Sequence, residues 1–147
     1  FPKAARENYL LLDEDLKLYG ENVPDSASLT ERKKQELHDL LKAMTLIPAP
    51  SHFEDAKAEF VRAWLKKNGA EGVYIDSAKN VIFPYGCEGK DDLVVFAAHT
   101  DTVFPMDTPL EFRDDGQNFY CPGVGDDTIC LVMMLMVAKY IIKNNAR

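Results

Sequence analysis

The chain has 147 residues, enough for one domain with a real core and hardly for two. Hydrophobic residues make up 46% and charged residues 28%, a mixture that excludes wholesale disorder. Seventeen Lys and Arg against twenty-four Asp and Glu leave a net charge of −7, which argues against nucleic acid and against an anionic membrane surface as partners.

Residues 1–30 read as an N-terminal extension. Arg6 to Tyr19 carries Leu10, Leu11, Leu12, Leu16 and Leu18, the content of a short helix. A Gly- and Pro-containing loop follows at Gly20 to Ser26. The chain opens on Phe1 with no charged-then-apolar leader, the expectation for a processed or trimmed product. The spacing of Leu37, Leu40, Leu41 and Met44 predicts a helix from about Glu31 to Met44, capped by Thr30 or Ser28. Pro48 and Pro50 end it.

Ser51-His52-Phe53-Glu54 has the form of a capping box for the next helix. Phe53, Ala56, Phe60 and Trp64 share one side of that helix, with Val61 and Leu65 adjoining. Gly69 suits the left-handed residue just past its end. The period then changes to two. Val73 to Ser77 and Asn80 to Tyr85 form an expected hairpin, and Leu93 to Ala98 an expected strand. That third segment is apolar at every position, so it belongs in the middle of a sheet covered on both faces. A second hairpin is expected at Leu110 to Cys121, turning at Asp114-Asp115-Gly116. A final helix from about Asp127 to Lys143 is apolar nearly all round, as buried helices are. Its apolar run, Ile129 to Ala138, is short of the roughly 20 residues of a membrane span. Helices flanking a mixed β-sheet indicate an α/β layered sandwich.

Two clusters carry chemistry. The first, His99-Thr100-Asp101-Thr102-Val103, follows the apolar segment at the carboxyl end of a strand, where open α/β sheets bind ligands. Residues i and i+2 of an extended chain point the same way, so Asp101 can accept from one nitrogen of His99 while the other faces a site. The second, Pro122-Gly123-Val124-Gly125-Asp126-Asp127, sets two carboxylates before a buried-looking helix. Buried carboxylates need a cation or several donors. The bland readings are a His–Asp pair that satisfies loop backbone, and an Asp that caps a helix. His38 and His52 read as solvated surface residues and Cys130 as core filler. Cys87, Cys121 and Cys130 have no framework spacing, which points to reduced thiols and a cytoplasmic setting.

The order strand, His-x-Asp, hairpin, then Gly-x-Gly-Asp-Asp opening a helix resembles the co-catalytic zinc metallopeptidase family that includes peptidase T, carboxypeptidase G and the aminoacylases. The resemblance runs from about Glu31 to Lys143. It includes Leu46-Ile47-Pro48-Ala49-Pro50-Ser51 through Glu54, and Asn80-Val81-Ile82. Its most specific part is His99-Thr100-Asp101-Thr102-Val103. After the paired acids this chain has Thr128-Ile129-Cys130, where many members have Lys-Gly or similar small residues.

The resemblance implies that residues 31–147 are the N-terminal part of a catalytic domain of the zinc-peptidase (phosphorylase/hydrolase-like) fold. The lid or dimerisation domain and the C-terminal part lie outside it. It implies that His99 is a zinc ligand, that Asp101 serves catalysis by orienting His99, and that Asp126 bridges two zinc ions. Asp127 supports the ligands, and the Asp126–Asp127 peptide is cis. Cobalt or manganese can replace zinc at similar donors. Substrates would be peptides or N-acyl amino acids, and the chain would form a homo-oligomer or associate with the missing remainder. The family's general base, a further acid and a late His have no counterpart, because no Asp, Glu or His follows Asp127. The chain alone is therefore expected to be inactive and to bind zinc weakly. Two rivals remain: a non-catalytic interaction module without metal, and a flavodoxin-like or nucleotide-binding domain, for which Ser77-Ala78-Lys79-Asn80 is a poor phosphate turn.

Overall fold

The structure, a computed structural model, describes residues 26–146. The helix expected over Arg6 to Tyr19 lies outside the described residues. The chain divides into two compact units, Phe1–Glu36 and Leu37–Arg147.

The first helix, α1, spans Ser26–Thr45. It begins before the expected Glu31, so Ser28 and Thr30 are helical residues, not caps. Within the first unit, α1 carries an exposed Lys34–Glu31 pair one turn apart, the kind of contact that adds only a few tenths of a kcal/mol or ~0.5 at most. In the second unit, α2 spans Asp55–Lys67 and α3 spans Ile129–Asn144. Two short antiparallel hairpins complete it. Strand β1 (Tyr74–Ile75) pairs with β2 (Val81–Ile82), and β3 (Arg113–Asp114) with β4 (Phe119–Tyr120). The mixture of helices and small sheets is α/β in the general sense.

The core gathers Leu40, Leu41 and Met44 of α1, Val61 and Leu65 of α2, and Leu131, Val132 and Leu135 of α3, with Ala70 and Val73 between. The predicted stripe on α1 therefore faces the core. On α2 the buried positions are Lys57, Ala58, Val61 and Leu65, so the face is turned from the expected one and Phe53 is exposed. This helix ends as Gly69 implied. Gly69 takes φ +95°, its N–H donates to the Lys66 carbonyl, and the Ala70 N–H donates to Leu65.

The capping box does not form. Glu54 caps α2 by position without a side-chain bond, because the Ser51 hydroxyl is directed to Asp101. His52 is exposed, as expected, but sits before the helix at φ +75°. In the first hairpin Asp76 Oδ1 accepts from the Ala78 and Asn80 N–H groups, both at 2.9 Å, which closes the turn. Lys79 donates to Asp55 and to the His52 carbonyl. The second hairpin closes where Asp115 Oδ1 accepts from Gln117 and Asn118. His38 is only partly solvated, not the free surface residue expected. Its ring lies 5.7 Å from Phe112 and 5.5 Å from Phe119, and its Nε2 is 3.2 Å from an Asp114 oxygen.

The largest departure is Leu93 to Ala98. It belongs to no sheet, and Val94 and Val95 are 83% and 81% exposed. A strand needs neighbouring edges for its N–H and C=O groups. The strands among the described residues form two separate two-residue pairs, and this segment is hydrogen-bonded to neither. Helix α3 is likewise not buried all round, because Met133 and Val137 are each 53% exposed. No helix among the described residues is long and apolar enough to cross a membrane.

Leu41 is fully buried where the three helices meet. Leu41→Ala should cost about 2–5 kcal/mol through the cavity it leaves. Urea unfolding should show a lower midpoint with an unchanged slope.

Candidate metal centre

Three stretches meet at the centre, and backbone contacts bring them together. The Thr102 N–H donates to the Ala49 carbonyl at 2.7 Å, and Pro50 and Thr102 form a parallel bridge. This lays the chain before α2 beside the His99-x-Asp101 segment. The glycine turn before α3 approaches from the other side. Gly123 takes φ +77°, and a Cβ built there would lie 2.7 Å from Thr102 Cγ2. Only glycine tolerates both the dihedral and the contact. The turn continues through Val124–Thr128, with Asp126 and Asp127 in non-helical conformations, so α3 starts at Ile129 and not at Asp127. The Asp126–Asp127 peptide is cis.

All four residues singled out in the sequence converge here. His99 Nδ1 lies 2.9 Å from the Asp101 carbonyl oxygen and 3.2 Å from its Oδ1. His99 Nε2 lies 3.1 Å from Asp126 Oδ1. The His99 backbone N–H donates to Asp127 Oδ2 at 3.4 Å.

The tautomer follows from these partners. A carbonyl oxygen accepts and never donates, so the proton belongs on Nδ1. In the neutral ring, Nε2 then points a lone pair at a carboxylate oxygen. Two acceptors at that distance repel unless a proton or another cation lies between them. Burial pulls the His99 pKa down, but the bonds to the Asp101 carbonyl and Asp126, with the charges of Asp101 and Asp127, outweigh it and raise it. Asp101 is held below the usual carboxylate range, first by the Ser51 hydroxyl that donates to its Oδ2, and by His99 as well.

Several neighbours were not legible as site residues. Ser51 reads in the sequence as a helix cap. Nothing in the sequence pattern singles out Lys57, yet it is only 1% exposed. Burial lowers its pKa, and the charges of Asp101 and Cys121 act against that fall. Cys121 is raised by burial, with Lys57 opposing. Cys130 is exposed and not core filler. Its thiol bonds to Asp127, which raises its pKa. The three cysteines are free thiols.

The donor set fits part of a metal site. Zinc takes imidazole nitrogen and carboxylate oxygen at about 2.0–2.2 Å, and His99 Nε2 and Asp126 Oδ1 are near enough to share one ion. Among the described residues no group of three or more His, Cys, Asp or Glu is placed to hold a metal. Two ligands do not complete a catalytic zinc, which wants three from protein and an open position. Asp126 is 87% and His99 49% exposed at the side chain, so the pair faces solvent. No family model and no curated protein matches the chain.

The raised His99 pKa stabilises the fold fully below about pH 6.5, and that contribution is lost as pH rises through the folded value. The lowered Asp101 pKa contributes above about pH 3.9 and is lost as pH falls through its folded value. An NMR titration should find His99 above the free-histidine value, and Asp126→Asn should bring it down. Gly123→Ala should destabilise by more than about 1 kcal/mol. Adding Thr102→Ser, which removes the methyl the new Cβ meets, should restore part of that loss in urea melts.

Proposed function

We propose that this chain is the N-terminal segment of a zinc-dependent metallopeptidase that hydrolyses peptide or amide bonds at a dinuclear site. The observation that carries the reading is His99 Nε2 facing Asp126 Oδ1 at 3.1 Å, with the ring proton committed to Nδ1. Two acceptors arranged in this way call for a cation. In this reading His99 and Asp126 would hold the metal, Asp101 would orient His99, and Asp127 would support the backbone at His99. Bound zinc would polarise a substrate carbonyl and lower the pKa of a water to about 7. Cobalt or manganese would suit the same donors.

The chain's own part is to present ligands. It supplies no carboxylate after Asp127 to accept the proton from the attacking water, so catalysis needs groups beyond those described. The finer fold proposal is a layered α/β sandwich of the zinc-peptidase type. Peptides or N-acyl amino acids are the proposed substrates, and the cytoplasm the proposed setting, supported by the free thiols.

One observation favours a second reading. The exposed apolar run Leu93 to Phe96 suits a non-catalytic interaction module that pairs with another chain and carries no metal. That reading predicts a defined oligomer and metal-free protein.

Zinc titration decides between them. The metallopeptidase reading expects weak binding that shifts the His99 ring nitrogens and disappears in His99→Ala and Asp126→Ala. Zinc binding that both variants leave unchanged would falsify it.

A further inference from the structure

We propose that Ser51 is a positioning residue that acts through Asp101 to present His99 Nε2 toward Asp126. The inference rests on the metal-centre reading and extends it to a residue outside the His-x-Asp and Asp-Asp pairs.

The geometry is a chain of hydrogen bonds. The Ser51 hydroxyl donates to Asp101 Oδ2. The other carboxylate oxygen, Oδ1, lies 3.2 Å from His99 Nδ1. Nε2 then faces Asp126 Oδ1. With Oδ2 occupied, the carboxylate cannot swing out to solvent without breaking the Ser51 bond. Oδ1 is thereby kept beside Nδ1, where it reinforces the backbone carbonyl of Asp101 as acceptor of the ring proton. Groups of this kind orient a ligating histidine and select its tautomer.

Ser51 is itself held from both sides. Pro50 precedes it with a ring-fixed φ and is bridged to Thr102. The Phe53 N–H donates to the Pro50 carbonyl at 2.8 Å, closing a turn around Ser51 and His52. The Thr102 N–H bond to Ala49 ties the same stretch to the residue after Asp101. The hydroxyl is thus delivered to the carboxylate by backbone, which accounts for its absence from the α2 cap.

The test uses the whole chain, uniformly labelled with 15N. Long-range 1H–15N spectra of the His99 ring at one fixed pH report the tautomer directly. The wild type should show the proton on Nδ1. Ser51→Ala should move both ring nitrogens toward averaged shifts and move the Asp101 carboxyl carbon, while Ser51→Thr, which keeps the hydroxyl, should restore the wild-type positions. Backbone amide spectra check that each variant is folded, and Ser51 is exposed, so its loss opens no cavity. Zinc ion is then titrated into all three. Affinity in Ser51→Ala should fall on the order of 10-fold, the effect expected for a group that orients a ligand. Unchanged ring nitrogens in folded Ser51→Ala overturn the positioning role, even if zinc still binds at His99. A shifted tautomer in Ser51→Ala, with no response of wild-type His99 to zinc, supports the positioning role and overturns the metal-centre reading instead.

Discussion

The candidate centre turns on a backbone carbonyl that can only accept. Because the Asp101 carbonyl sits 2.9 Å from His99 Nδ1, the imidazole proton is committed there. Every other feature of the cluster is a response to the lone pair this leaves on Nε2. Asp126 faces it at 3.1 Å, and the charges of Asp101 and Asp127 favour a cation in the same place. The arrangement holds a proton when nothing else is supplied, which is why the histidine is more basic than usual. A divalent ion would answer the same need with two bonds in place of one.

That carbonyl is placed by contacts far apart in the chain. The bridge between Pro50 and Thr102 joins residues near the start of α2 to the residues that follow His99. The close approach of Gly123 to Thr102 then sets the distance of the Asp126-Asp127 turn. Thr102 is therefore the hinge of the assembly, although it offers no ligand. Behind it, α1, α2 and α3 share one apolar core in which Leu41, Met44, Val132 and Leu135 are almost wholly buried. The stretch leading into α2 carries Ser51 and the turn leading into α3 carries Asp126 and Asp127, so two of the three converging stretches are anchored to helices.

The exposed run from Leu93 to Phe96 sets the opposite constraint. Four large apolar side chains face solvent with an unpaired backbone, immediately before the histidine. Such a segment is an adhesive surface. Its covering would also restrict water around His99, where the pair now faces solvent. Burial and ligand strength are coupled in this way, since charge interactions strengthen as solvent is excluded.

Local chemistry was legible where it depended on neighbours in sequence. The stripe of Leu40, Leu41 and Met44, the left-handed Gly69 and the acid-and-glycine turn at Asp115 all appear where periodicity and turn residues put them. The same reasoning failed for Ser51, whose hydroxyl had a local use as a cap and a distant use at Asp101, and the distant one prevailed. It missed the ring contacts that His38 makes with Phe112 and Phe119, and nothing local marked Lys57 as buried. The sequence by itself determined which side chains were candidates: His99, Asp101, Asp126 and Asp127. Only the tertiary structure decided that they meet, which nitrogen of His99 is presented, and that Ser51 stands behind Asp101. The physical reason is that the meeting of Asp126 with His99 Nε2 and of Ser51 with Asp101 joins residues 27 and 50 positions apart in the chain, and no local pattern encodes a contact across that separation.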